Sequence, residues 1–353
     1  MANYNIIFEN VCKVKRMVSG KSIKDVAKVA GVSISTVSRV LNESQNVSAE
    51  LKQKVLDAVQ NLGYRSNTIA RALKGMPTKT LGLLIPTIEN PFFPSMVRGV
   101  QDEAHRNGYS VFLCNTDGSR IIEETQFKLL LDKKVDGIIL VASKYTTRYL
   151  KNGMEFPIVM IDRYVNSPNF SYVTVDHTIG IRLAIEHLYS LGHRKIAFLG
   201  SKLLSSGARE RFQSYKRYIE EFKMKFDDSL IILGEYTYES GIKMVEELMK
   251  RKVKFDSILC GNDLIAFGVI EGLKKYGIKV PKDVSVVGYD DITFSSYHNP
   301  KLTTIRQPTY EVGQMATRIV IDMISGVDRR VKHIKIEPSL VIRETTRKRG
   351  SEI

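Results

Sequence analysis

Residues 22–42 read SIKDVAKVAGVSISTVSRVLN. Ser22 followed three positions later by Asp25 has the form of a capping box, in which the side chain and backbone of each residue satisfy the other at a helix start. Ile23, Val26, Ala27 and Ala30 then recur at the spacing of one helical face. Gly31 ends that helix. Ser33 can cap a second, with Val37 and Val40 or Leu41 facing inward, and Ser48 can cap a third that carries Leu51, Val55, Leu56 and Val59 up to Gly63. Two short helices joined by a Gly-containing turn have the geometry of a helix-turn-helix, whose second helix offers its N-terminal residues to base edges. Ser33, Ile34, Ser35 and Thr36 stand at that end, with Ser38, Arg39 and Asn42 further along. Spacing alone also fits a three-helix packing unit that reads nothing.

Charge distribution bears on the choice. The 353 residues carry 53 Lys and Arg against 38 Asp and Glu, and residues 1–80 hold 13 basic and 5 acidic side chains. More than half of the net positive charge therefore sits in under a quarter of the chain, which places a polyanion-facing surface near the N-terminus. Cys12, Cys114 and Cys260 lie far apart with no CxxC spacing, so neither a disulfide framework nor a zinc site is expected. No apolar run approaches the roughly 18 residues of a membrane span, and MANYNIIFEN lacks the basic and apolar blocks of a secretion signal. These features predict a soluble, cytoplasmic chain with no membrane partner and no metal or other cofactor.

From Thr80 the pattern changes. Leu81–Ile85, Val111–Leu113, Gly137–Val141 and Ile158–Ile161 read as strands, with helices near 92–107 and 123–134 between them. A second series has strands at Ile196–Leu199, Ser257–Cys260 and Val284–Gly288 and helices near 178–191, 209–222, 238–250 and 263–276. The alternation predicts parallel sheets with helices on both faces, and two series predict two lobes. The fold class is thus an all-α helix-turn-helix followed by a two-lobed α/β core.

Open parallel sheets bind ligands beyond the carboxyl ends of their strands. Those ends carry Asn90, Phe92 and Phe93 after the first strand and Asp162 and Arg163 after the fourth. Arg211 stands before a helix, followed by Tyr236, Asn262, Asp290 and Gln307. Each alone is commonly a cap, a turn residue or a surface ion pair; their shared location suggests a binding cleft.

The wording of residues 22–42, continued in VSAELKQKVLDAVQNLGY and in NTIARALKG at 67–75, resembles the DNA-binding region of the lac repressor (LacI/GalR) family. That resemblance implies that residues 67–75 form a hinge helix that orders on operator DNA and inserts a leucine, here Leu73, into the minor groove. A physical reading agrees, since Asn67 can cap and Ile69, Ala70 and Leu73 line one face of a helix too short to persist alone. Residues 1–20 depart from the family, which usually starts just before the first helix. Met17 falls where such a start would lie, so an extension or a mis-assigned start is expected there.

Residues 80–345 resemble the periplasmic-sugar-binding fold of the same family. Within them ENPFF at 89–93, IDR at 161–163, SSGARER at 205–211, GND at 261–263 and VVGYDD at 286–291 are similar to ribose-binding and ribose-repressor sequences. The resemblance implies that the strand-end set, from Asn90 to Gln307, contacts a small neutral sugar. Ser214 replaces the family's usual Gly, and His177 stands where many members have Asn. The implied organisation is an extension at 1–20, the helix-turn-helix at 21–65, hinge and linker at 66–77, an effector and dimerisation core at 78–345, and a tail at 346–353. Lobe N would hold about 80–175 and 307–336, lobe C about 176–306 and 337–345.

The expected function is a DNA-binding regulator, acting as a repressor of carbohydrate-related genes under a sugar such as ribose. No leucine heptads follow the last family-like strand, so a homodimer on double-stranded operator DNA is expected. Three alternatives stand beside it. A secreted binding protein would need a signal peptide and no helix-turn-helix. An enzyme could use the Asp290–Asp291 pair, but adjacent residues at a strand end point in different directions, and no GxxxxGK[ST], HExxH or GxSxG occurs. A catabolite-type regulator with a protein or phosphorylated effector would lack most of the sugar-contacting set.

Overall fold

The computed structural model describes residues 22–41, 47–64, 77–150 and 156–350. The chain divides into two compact units, one up to Thr78 and one from Lys79 onward.

In the first unit three helices form, α1 (Ile23–Ala30), α2 (Ile34–Leu41) and α3 (Ala49–Leu62). The capping box is present: Asp25 N–H donates to Ser22 Oγ at 3.3 Å, and Ser22 N–H to Asp25 Oδ2 at 2.7 Å. Gly31 takes φ +67° to stop α1, a conformation that costs a residue with a Cβ. Val26, Ala27, Val37, Val40, Val55 and Ala58 form the core. Leu56, one of the apolar residues that α3 carries, is exposed. The inward position passes to Ala58, three residues after Val55, whereas Leu56 is rotated about 100° off that face.

The second unit contains two six-stranded sheets. In chain order their strands are β1 (Thr80–Ile85), β2 (Ser110–Asn115), β3 (Gly137–Leu140), β4 (Ile158–Ile161), β5 (Ser171–Val175), β6 (Ile196–Ser201), β7 (Ile231–Gly234), β8 (Ser257–Cys260), β9 (Ser285–Asp290), β10 (Thr303–Arg306), β11 (His333–Ile336) and β12 (Ser339–Val341). The first sheet runs β11-β5-β4-β3-β1-β2 and the second β12-β10-β9-β8-β6-β7. All pairings are parallel except β10 with β12. We call the sheet of β1 and its helices lobe N and that of β6 lobe C.

Alternation along the central strands buries both faces, as parallel sheets require, while the edge strand β2 leaves Phe112 and Leu113 exposed. In lobe N, Leu81, Leu83, Ile139 and Val159 pack with α4 (Phe92–Arg106) and α10 (Thr309–Ser325), while Leu84, Ile138, Leu140 and Met160 face α5 (Arg120–Asp132). In lobe C, Leu199, Ile258 and Val286 face α8 (Tyr238–Lys250) and α9 (Asp263–Lys275). Phe198, Leu259 and Tyr289 face α6 (His177–Ser190) and α7 (Ser206–Glu221). Helices α4 and α10 touch backbone to backbone: a Cβ on Gly99 would lie 2.1 Å from the Tyr310 carbonyl oxygen, and one on Gly313 2.3 Å from that of Met96.

The chain crosses between the sheets three times, from β5 into α6, from β10 into α10, and from β11 into β12. Strands β5, β7, β10, β11 and β12 were not expected from the sequence. Each has three to five residues, most of them interrupted by Ser, Thr, Lys, Arg or Gly, and owes its state to its neighbours in the sheet rather than to its own apolar pattern.

Candidate functional site

Two sets of residues invite function. In the first unit Ser33 caps α2, its Oγ accepting from Thr36 N–H at 3.1 Å and lying 2.7 Å from Ser35 Oγ. Ile34, 43% exposed, and Ser35 project from the start of the helix while Val37 and Val40 anchor it, and Arg39 is exposed one turn on. Ser38 is half-buried. This leaves an apolar and hydroxyl-bearing tip whose free N–H groups face outward, suited to base edges and phosphates. Asn42, Asn67, Ala70 and Leu73 lie outside the described residues.

In the second unit nine of the ten strand-end residues line a single cavity: Asn90, Phe92, Phe93, Asp162, Arg163, Arg211, Tyr236, Asn262 and Asp290. The tenth, Gln307, donates its Nε2 to Asp290 Oδ1 at 2.6 Å. The space they line is about 20 Å³, room for roughly one water. A wider cavity of about 640 Å³ shares Asn90, Phe93, Arg163 and Tyr236 with it and opens outward between the lobes.

Local structure explains how each lobe presents its groups. Asn90 Oδ1 accepts from Phe92 N–H at 3.0 Å at the mouth of α4, and the Phe92 and Phe93 rings meet edge to face with centroids 5.1 Å apart. After β4 the chain turns within one residue: Arg163 N–H donates to the Ile161 carbonyl at 2.6 Å, and Asp162 between them has φ +60°. That tight turn is strained for a residue with a side chain, and it aims Asp162 inward and Arg163 alongside, with Arg163 Nε 3.3 Å from Asp162 Oδ2. Asn262 caps α9 by accepting from Ile265 N–H through Oδ1, so its amide NH2 is not engaged in the cap.

Arg211, read at the front of a helix near 209–222, lies about one and a half turns inside α7. The helix begins at Ser206 because Ser205 Oγ accepts from Ala208 N–H at 3.2 Å. Its guanidinium donates to the Gly261 carbonyl and packs over the Tyr289 ring, 4.4 Å from its centroid, leaving Nε buried without a partner. Tyr289 was not read as part of this assembly, and His177 was noted only as standing where many family members have Asn. Both are buried, the hydroxyl of one 3.0 Å from Nδ1 of the other, and neither has a local sequence signal because the contact spans 112 positions. Ser214, in place of the usual Gly, fits by turning its Oγ to Thr178 Oγ1 at 3.3 Å.

Burial dominates the electrostatics. It raises the Asp162 carboxyl against the opposing charges of Arg163 and Arg211, and raises that of Asp290 strongly despite Arg211. The two adjacent aspartates part company. Asp290 faces the cavity, whereas Asp291 is held by Arg306 at 2.7 Å and Arg343 at 2.6 Å. Asp263 accepts from Ser295 Oγ and Ile292 N–H, a structural tie within lobe C. Carboxylates, an amide, guanidinium groups and aromatic faces around one small space can hold a ring of hydroxyls in fixed directions. Among the described residues no cluster of metal-ligating side chains occurs, and no helix is long and apolar enough to cross a membrane.

Comparison with known proteins agrees with both halves. Residues 22–67 match the family described as bacterial regulatory proteins, lacI family, and residues 78–344 that described as periplasmic binding proteins and sugar binding domain of LacI family. The chain is 37% identical to the HTH-type transcriptional regulator RegA of Clostridium saccharobutylicum, over 92% of this chain and 99% of that one. It is 34% identical to the HTH-type transcriptional repressor PurR of Mannheimia succiniciproducens, over 93% and 99%. Among solved structures it is similar to the lac repressor dimer bound to operator and an anti-inducer, with TM-score 0.82, 28% identity and coverage of 93% and 100%. It is also similar to a LacI family regulator from Enterococcus faecium with bound ribose, with TM-score 0.68, 28% identity and coverage of 76% and 99%. The chain belongs to the LacI family. It is a DNA-binding transcription regulator and not an enzyme.

Proposed function

We propose that this regulator is a dimeric repressor of carbohydrate-related genes whose operator affinity is set by a free pentose of ribose type held between lobes N and C. The observation that carries the reading is the convergence of Asn90, Phe92, Phe93, Asp162, Arg163, Arg211, Tyr236, Asn262 and Asp290 on one cavity, with Gln307 behind Asp290. Aromatic faces cover the C–H side of a sugar ring while the carboxylates and amide take its hydroxyls. Hydrogen bonds to charged groups contribute about 1.5–3 kcal/mol each, so several of them hold a small polar ligand against its desolvation. The ribose-bound relative supports the same class of ligand. The lining comes from both lobes, so a sugar bound there draws them together, which links sugar and operator through the hinge.

A purine base is the second reading. It is favoured by the relative named PurR and by the Phe92, Phe93 and Tyr236 rings, which could stack a flat heterocycle. Titration calorimetry of the full chain against D-ribose, D-xylose, D-glucose, hypoxanthine and guanine decides between the two, with operator affinity followed in parallel. Heat and a shift in operator affinity with ribose alone support the sugar; a response to the bases alone overturns it.

A further inference from the structure

A second group of side chains bridges the lobes beside the cavity without lining it. Glu210, on α7 of lobe C, accepts a hydrogen bond from the Tyr164 hydroxyl at 2.5 Å through Oε1 and meets Lys335 Nζ at 3.1 Å through Oε2. Both donors belong to lobe N: Tyr164 follows β4, and Lys335 lies on β11. A third bond crosses the same seam, from Tyr164 N–H to Ser206 Oγ at 3.1 Å. The Tyr164 ring is held for this contact by stacking on Tyr172 at 4.0 Å, which in turn stacks on His333 at 4.4 Å.

Position gives the clasp its meaning. Tyr164 is the residue after Arg163, and Glu210 the residue before Arg211, so each lobe attaches one half of the clasp to one of the two arginines that face the cavity. Along α7 successive side chains diverge by about 100°, which lets Arg211 face the cavity while Glu210 faces the seam. Ser206 and Glu210 ride on the same helix, so parting the lobes breaks all three bonds together. The Glu210 side chain is only 18% exposed, and its short bond from a phenol is charge-assisted, so it outweighs an ordinary surface ion pair.

We infer that Glu210, with Tyr164 and Lys335, is a positioning group that fixes the separation of Arg163 and Arg211 and so sets how readily the cleft closes on its effector. The inference rests on reading the cleft as the effector site. A ligand gripped only by the closed form binds with an affinity reduced by the fraction of molecules that are not closed, so loosening the clasp weakens binding with no contact to the ligand removed.

The test has two arms on the full chain. In a Cys12→Ser background, fluorophores at Lys128→Cys and Lys250→Cys, one exposed site on each lobe, report lobe separation by single-molecule energy transfer without any effector. Glu210→Gln and Tyr164→Phe should each move the distribution toward wider separations, and the exchanged pair Glu210→Lys with Lys335→Glu should move it part of the way back. In the second arm, calorimetry with D-ribose should show Kd raised about tenfold in the two single variants, with the ribose-free operator affinity shifted in the sense opposite to the shift that ribose itself causes. Distributions identical to that of the parent chain overturn the clasp. So does a loss of affinity matched by a fall in melting temperature that the exchanged pair fails to reverse. If ribose does not bind the parent chain, the effector reading fails alone and the separation arm still decides.

Discussion

The guanidinium of Arg211 lies 4.4 Å from the centroid of the Tyr289 ring. Tyr289 is fully buried, so it acts as a floor that holds the arginine toward the cavity rather than as a ligand contact. Arg211→Ala should abolish the response of operator binding to ribose while leaving sugar-free operator affinity within about twofold, since the residue is remote in sequence from the reading helix. Fluorescence anisotropy with labelled operator, with and without ribose, measures both quantities. An equal loss of basal affinity would place Arg211 in the fold rather than in the response.

His177 completes that floor and brings a pH dependence. Burial holds its imidazole well below the ordinary value, and the charges of Arg211 and Lys335 add to the effect. The folded ring stays neutral while the unfolded ring takes a proton near pH 6.5. Below that pH the unfolded chain therefore binds more protons and stability falls as pH drops, by up to about 1.4 kcal/mol per pH unit. Asp162 and Asp290, raised by burial, act in the opposite sense as they protonate, so the histidine is read by difference. Urea unfolding of His177→Gln between pH 6.5 and 5.5 should show a shallower decline than the parent chain; parallel declines would remove His177 as the source.

The contact of α4 with α10 predicts a steric effect. Gly99→Ala places a methyl group 2.1 Å from the Tyr310 carbonyl oxygen, a backbone atom that cannot swing aside. The helices must separate, at a cost of about 1–3 kcal/mol. Gly326→Ala is the contrasting case: its φ is +74° with no atom closer than 3.9 Å, so only conformational strain opposes it. Urea midpoints of the two variants separate crowding from strain, and a Gly99→Ala midpoint equal to that of the parent chain would mean that the helices give way freely.

At the start of α2, Ile34 and Ser35 are exposed while Val37 and Val40 are buried. Exchanging the exposed pair, for example Ile34→Thr with Ser35→Asn, should therefore change which operator wins in a selection from a randomised pool without unfolding the unit. Replacing Arg39 should instead weaken binding to every sequence and reduce its salt dependence. If the double substitution lowered affinity uniformly and preserved the ranking, the pair would not be reading bases.

Why some of this was legible in the chain and some not follows from distance along the sequence. Ser22, Gly31, Ser33, Ser48 and Gly63 act on backbone groups within a few residues, so the three helices of the first unit could be bounded from sequence. Asp162, Asn262 and Asp290 stand at or just past the ends of apolar strands and Asn90 lies in the turn after β1, and strand ends are where open parallel sheets gather ligand groups. The start of α7 was placed three residues late, because Ser206–Ala208 carries no apolar stripe and the cap at Ser205 sets the boundary. Strand β11 pairs with β5 some 160 positions earlier, and Tyr289 meets His177 across 112. No window of local sequence contains either partner.

The three crossings between the sheets mean that neither lobe is a continuous stretch of chain. As the protein emerges from the ribosome, β1 to β5 appear first, yet the face they share with α4 stays uncovered on one side until α10 has been made. Lobe C is nearer to completion at that moment, but it too waits for β12 and for Thr345, which donates to the Val286 carbonyl and accepts from Thr303 N–H. A nascent chain ending near residue 306 would thus expose the Gly99 groove and the apolar sheet beside it, a surface for chaperones to hold. Premature stop codons late in the gene should give insoluble products rather than half-working regulators.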